Sequence, residues 1–142
     1  MGANAVYCGQ TGAGSTTKLA NQIVVAANIA ACAEAFSLAK KAGVAPELVL
    51  AAIRGGLAGS AVMDAKVPMM ISGSYEPGCR VTLHIKDLVN AVNAAHELGA
   101  PIQLTPLVME MLQWLSANGY SALDHSAINK YYEHISGEKL GD

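Results

Sequence analysis

The chain has 142 residues, 52% hydrophobic and 14% charged, enough for one domain with a real core and too little for two. That composition excludes bulk disorder, and a net charge of -2 without any cluster of basic residues argues against nucleic acid or an anionic membrane as partner. Twenty-five alanines against seven aromatics favour closely packed helices over a sheet, so the expected fold class is all-α.

The first segment, Ala5 to Cys8, is a short β-like run followed by a glycine-rich turn at Gly9, Gly12 and Gly14. A lone strand leaves its backbone groups unpaired, so it is expected to belong to a sheet outside these residues. A long helix is predicted from Ser15 or Thr16 to Ala42, with Lys40 and Lys41 in its last turn and Gly43 as its stop. At about 1.5 Å per residue it is roughly 40 Å long, a spine for other parts or another subunit to pack on. Asn21, Gln22, Asn28 and Glu34 interrupt its apolar run, which argues against a membrane span.

Shorter helices follow. Pro46 opens one that ends at Arg54, before Gly55-Gly56, and another runs from Ser60 to Val67 and stops before Pro68. Ser72 to Gly78 reads as a loop. A helix from Thr82 to Leu98 stops at Gly99-Ala100-Pro101. The next begins with Thr105 as N-cap and Pro106 at N1 and ends at Asn118-Gly119. Ser121 with Asp124 resembles a capping box and opens a last helix to Ile135, leaving a frayed tail, Ser136 to Asp142.

The glycine cluster fails the two nucleotide tests. A phosphate loop needs adjacent Gly-Lys, but Ser15 follows Gly14, and Lys18 comes later. A dinucleotide fingerprint beginning at Gly12 and Gly14 has Thr17 where its third glycine belongs. What remains is a turn that presents the bare N–H groups of a long helix's first turn, a place for a carboxylate or phosphate, or a plain tight turn.

Lys18, Asn21 and Gln22 stand at i, i+3 and i+4, so three polar groups share one face of an otherwise apolar helix start. They read either as a solvated face or as an acid/base site in which burial and the positive helix end lower the ammonium pKa. Lys86-Asp87 is a second charged pair, of a kind common on exposed helix surfaces. His84, His96, His125 and His134 never stand at i+3 or i+4 to one another or to a Cys, so no metal site is expected. Cys8, Cys32 and Cys79 are odd in number and widely spaced, which fits reduced thiols. The start shows no secretory signal pattern, and a cytoplasmic location is the expectation.

The stretch Gly9-Gln-Thr-Gly12-Ala-Gly14-Ser-Thr-Thr-Lys18-Leu-Ala-Asn21-Gln22 resembles the catalytic motif of the β-hydroxyacid dehydrogenases. Arg54-Gly-Gly-Leu-Ala-Gly-Ser60, Leu83-His-Ile-Lys86-Asp87-Leu, Asp124-His-Ser and Tyr131-Tyr-Glu resemble that family's tartronate semialdehyde (2-hydroxy-3-oxopropionate) reductases. Complete enzymes of this family join an N-terminal Rossmann domain, which binds NAD or NADP, to a helical domain like the C-terminal domain of 6-phosphogluconate dehydrogenase. The resemblance implies that residues 1–14 are the end of the Rossmann domain with its interdomain turn, 15–135 the helical substrate and dimerisation domain, and 136–142 a tail.

It further implies Lys18 as the catalytic lysine, Asn21 or Gln22 as the substrate contact and Gly14 as the residue that keeps the backbone close. Lys86 would reach the cofactor, and Asp87 would help build the site. Many relatives have Asn at both amide positions and an aromatic residue near Cys79; this sequence has Gln22 at the second and no such aromatic. The implied reaction is reduction of tartronate semialdehyde to D-glycerate by the complete chain, these residues alone being inactive. Its partners would be a small hydroxy or oxo acid, the chain's own Rossmann domain and further copies of itself, through the apolar spine. A 3-hydroxyisobutyrate-type substrate and a non-enzymatic helical module are the alternatives.

Overall fold

A computed structural model describes residues 6–141. Among these the order is α1 (Ala13–Lys41), α2 (Pro46–Ile53), α3 (Ala61–Ser72), α4 (Val81–Leu98), α5 (Leu104–Ala117), a 3-10 turn (His125–Ile128) and α6 (Asn129–Ser136), with no strand. The all-α expectation and the long first helix hold. Ala5 lies outside the described residues, and Val6–Cys8 takes no regular structure, so the β-like reading of that run has no support there.

Helix α1 has 29 residues, about 43 Å at the standard rise. Gly12, in the left-handed region at φ 95°, precedes it, so the helix starts earlier than expected and Gly14 lies inside its first turn. By length and composition α1 could cross a membrane. Here its inner face lines the core. Ala26, Ile29, Ala30, Ala33 and Phe36 are buried at helical spacing, and the small alanines let α3, α4, α5 and α6 approach. Phe36, Val67, Met70, Leu88, Leu112, Leu115 and Ile128 complete the fully buried centre.

Three expected boundaries are corrected. Helix α3 runs through Pro68 to Ser72, because Val67 and Met70, both 0% exposed, bury the turn that the missing proline N–H weakens. Thr105 is not the N-cap of α5; Gln103 occupies that position, and Thr105 is buried two residues further on, within the first turn. Ser121 caps no helix, its hydroxyl lying 2.9 Å from that of Ser116, whereas Asp124 caps the 3-10 turn by accepting from the Ser126 N–H.

The tail is also better anchored than expected. Leu140 is 2% exposed, its N–H donates to Glu133 at 3.1 Å, and Lys41 pairs with Glu138 at 2.9 Å. Side chains fasten the shorter helices to the spine: Ser60 caps α3 through the Met63 N–H and donates to Asn28 of α1 at 3.0 Å. The Tyr132 hydroxyl of α6 donates to Glu34 at 3.1 Å.

Candidate active site

The N-terminal half of α1 and the middle of α4 meet at a polar cluster. Gln22 donates to one Asp87 carboxylate oxygen at 2.6 Å, the Lys18 ammonium stands 3.9 Å from the other, and Asn21 donates to Gln22 at 3.2 Å. Lys18 and Gln22 come from adjacent turns of one helix face, while Asp87 arrives from 65 residues away because α4 packs across α1. Two predicted residues, Lys18 and Gln22, thus share the carboxylate of a third, Asp87. Lys86, next to Asp87 but on the outward side of α4, is exposed, and no hydrogen bond or ion pair joins it to the cluster.

The Lys18 side chain is 70% exposed and that of Asp87 only 19%. The burial expected to desolvate the Lys18 ammonium is therefore not supplied by the described residues. An ion pair so open contributes little to stability. It does hold the lysine head on the side of α1 that faces α4. At the helix start Gly12 offers no side-chain cap and the first turn has no acidic residue. Ala13 donates to the Gln10 carbonyl and Thr16 to that of Gly12, which leaves the N–H groups of Gly14 and Ser15 as the open donors that this end presents to an anion.

Beside the cluster lies an open apolar groove of about 540 Å³, lined by Leu19 and Ile23 of α1, Ala91 and Leu98 of α4 and the segment 100–105. Leu98, Leu104 and Leu107 stand exposed on or near its rim.

A second polar cluster lies under α4. The Asp124 carboxylate, 0% exposed, accepts from Lys66 at 3.0 Å and from the N–H groups of Gly78, Cys79 and Ser126 at 3.0, 3.1 and 2.9 Å. Burial alone would raise its pKa. The Ser126 and Cys79 N–H groups, with Ser126 and Lys66, hold it far below the usual carboxylate range. Val81 N–H to Leu123 O and His125 N–H to Cys79 O, at 2.9 and 2.8 Å, close this crossing of loops.

Next to it the Nδ1 atoms of His84 and His125 are 3.1 Å apart, with the rings edge to face. Burial pushes His125 down to about 4, His84 opposing its charge as well, and burial also lowers His84. One ligand atom from each of Cys79, His84 and His125 lies within 4.8 Å of the others. Sequence spacing did not reveal this grouping, because the three residues come from a loop, a helix and a 3-10 turn that only the topology joins.

The arrangement can be set beside known proteins. A family model described as NAD-binding of NADP-dependent 3-hydroxyisobutyrate dehydrogenase matches residues 12–132. The chain belongs to this family. Within it, 2-hydroxy-3-oxopropionate reductase of Escherichia coli is 39% identical over 99% of this chain and 48% of its own length. Among solved structures, 3-hydroxyisobutyrate dehydrogenase of Mycobacterium tuberculosis, determined with L-serine, superposes with a TM-score of 0.81 at 28% identity, covering 88% of this chain and 45% of that one. The 3-hydroxyisobutyrate dehydrogenase of Salmonella typhimurium gives 0.79 at 31% identity, over 84% and 42%. The chain thus spans about half the length of these relatives. The family consists of 3-hydroxyacid dehydrogenases that use NAD or NADP, and the helical fold seen here is that of its helical domain.

Proposed function

We propose that this chain forms the substrate-binding half of an NAD(P)-dependent 3-hydroxyacid dehydrogenase that reduces tartronate semialdehyde to D-glycerate, with Lys18 as general acid and base. The observation that carries this reading is the meeting of Lys18, Gln22 and Asp87 beside the open donor end of α1.

The nicotinamide, when bound, supplies the hydride. This chain's part is to manage the oxygen. As the carbonyl carbon of the substrate is reduced, negative charge gathers on its oxygen, which the Lys18 ammonium stabilises and then protonates; in the oxidation direction the neutral amine takes that proton back. Asp87 holds the ammonium near α4, and Gln22 anchors Asp87. On this reading Asn21 binds the substrate hydroxyl or carboxylate, with the first-turn N–H groups at Gly14 and Ser15 as further carboxylate donors.

A cofactor fits the open side of this cluster. Lys18 is uncovered there, and Lys86 projects an exposed ammonium from the same helix as Asp87, free to meet a cofactor phosphate. The apolar groove and its rim leucines fit burial against the chain's own cofactor domain or a further copy, and light scattering that finds only monomers would remove the second copy.

A 3-hydroxyisobutyrate-type acid is the second reading, supported by the likeness to the two solved structures. One methyl group is worth only about 1–3 kcal/mol of discrimination, so the two acids must be compared directly. The test is NADH and NADPH turnover by the longest natural chain that carries this sequence, with tartronate semialdehyde and with the 3-hydroxyisobutyrate pair, wild type beside Lys18→Ala. Loss of about 10²-fold or more in kcat on Lys18→Ala is expected. Unchanged turnover in that variant would refute the role of Lys18, and absence of turnover with either acid would favour a non-enzymatic helical module.

A further inference from the structure

We propose that Cys79, His84 and His125 form a binding site for one zinc-class divalent ion, separate from the Lys18 cluster. The three side chains already offer ligand atoms within 4.8 Å of one another, and the two imidazoles are 1% and 5% exposed. Thiolate with two imidazoles is a donor set that suits zinc rather than magnesium or calcium.

The spacing of the nitrogens fits. With zinc to nitrogen bonds of about 2.0–2.1 Å, a tetrahedral edge between two nitrogens is about 3.3 Å. The two Nδ1 atoms are 3.1 Å apart and need to separate only slightly. The Cys79 sulfur needs the larger movement, since a nitrogen to sulfur edge is about 3.6 Å. Its side chain sits half-buried in the loop before α4, outside the packed helices, which is where that movement can be taken up.

The protons also balance. In the metal-free protein one hydrogen lies between the two Nδ1 atoms, donated by His125 or by His84 according to tautomer. The buried His84 Nε2 has no hydrogen-bond partner, and His125 Nε2 lies 4.0 Å from an Asp124 oxygen. With His125 as donor, ion binding shifts its proton from Nδ1 to Nε2, next to the Asp124 carboxylate, the usual support for a metal-bound imidazole. His84 then keeps its hydrogen on Nε2 throughout, and the Cys79 thiol releases its proton to solvent. The charge of the neighbouring Lys66 is already matched by Asp124. The bound ion would tie the loop at Cys79 to α4 and to the 3-10 turn, fixing the helix that presents Asp87.

Titration of the metal-free protein with Co²⁺, followed by Zn²⁺ competition, tests this. The expected result is one Co²⁺ per chain with a sulfur-to-cobalt charge-transfer band, displaced by Zn²⁺, and a thermal midpoint raised by Zn²⁺. Cys79→Ser should abolish the band and weaken affinity by more than about tenfold, and Cys8→Ser should change neither. Because Cys79 is half-exposed, the serine variant keeps the fold, which its circular dichroism melt verifies. No stoichiometric uptake by the wild type, uptake that survives Cys79→Ser with its band, or uptake that requires Cys8 overturns the site.

Discussion

Replacing Asp124 by alanine should be among the most damaging single changes in this domain. The carboxylate is wholly buried and serves Lys66, whose side chain is 17% exposed, together with three backbone N–H groups. Its removal leaves a mostly buried ammonium without a counter-charge, a defect that costs about 3–5 kcal/mol. The freed N–H groups of Gly78 and Cys79 can reach water, since neither residue is buried, but that of Ser126 cannot and adds about 1–3 kcal/mol. We therefore expect a loss of about 5 kcal/mol, comparable to the whole stability of a marginal domain at about 5–15 kcal/mol. Urea unfolding followed by far-ultraviolet circular dichroism measures it. Asp124→Leu combined with Lys66→Met should recover part of the loss, because the orphaned charge disappears with its partner. A loss below about 1 kcal/mol for Asp124→Ala, or no recovery in the double variant, refutes the view that this buried pair organises the loops beneath α4.

Three other outcomes are expected. Gly59→Ala should destabilise by about 1–3 kcal/mol, since a Cβ there would lie 1.9 Å from the Arg54 carbonyl oxygen and backbone would have to move; thermal unfolding checks it. Gly14→Ala should do the reverse, adding about 0.5–1 kcal/mol because a Cβ meets nothing within 4 Å and alanine suits a helix better, while raising the substrate KM of the active enzyme by crowding the first-turn donors. Burial, opposed by the Asn129 side chain and assisted by the charge of Glu133, pushes the Tyr75 hydroxyl up to about 12 from its ordinary 10. Its contribution is complete below pH 10 and lost as pH rises through 12, up to about 2–3 kcal/mol; wild type should therefore lose more stability than Tyr75→Phe across that window in urea titrations.

Much of this architecture was legible in the residues. Gly43, Pro46 and Gly99 punctuate the chain because each carries a backbone constraint that no neighbour can override. Pro68 misled because its cost is local and modest, whereas the burial of Val67 and Met70 that keeps α3 intact is tertiary. Thr105 has the chemistry of a cap, yet the core claims it first. In the site, the shared face of Lys18 and Gln22 follows from helical spacing alone. Their contact with Asp87 does not, since it depends on where α4 crosses α1. The same holds for Cys79, His84 and His125, whose grouping depends on the loop crossing at Asp124.

Helix α1 is clamped unevenly. Its first buried residue is Ala26, and the dozen or so residues ahead of it, about 20 Å of helix, are at most half-buried and are tied to α4 through Gln22 and Lys18 at Asp87. A beam held firmly at its root and lightly along its length deflects most at its tip, and the Lys18 ammonium, the proposed acid and base, stands one turn beyond the Gln22 tie. The rigid bundle therefore supplies the mounting, and whatever surface closes over the outer half of α1 supplies the final alignment. On the proposed role of Lys18, its precision is then a property of assembly, set by what the tip is seated against.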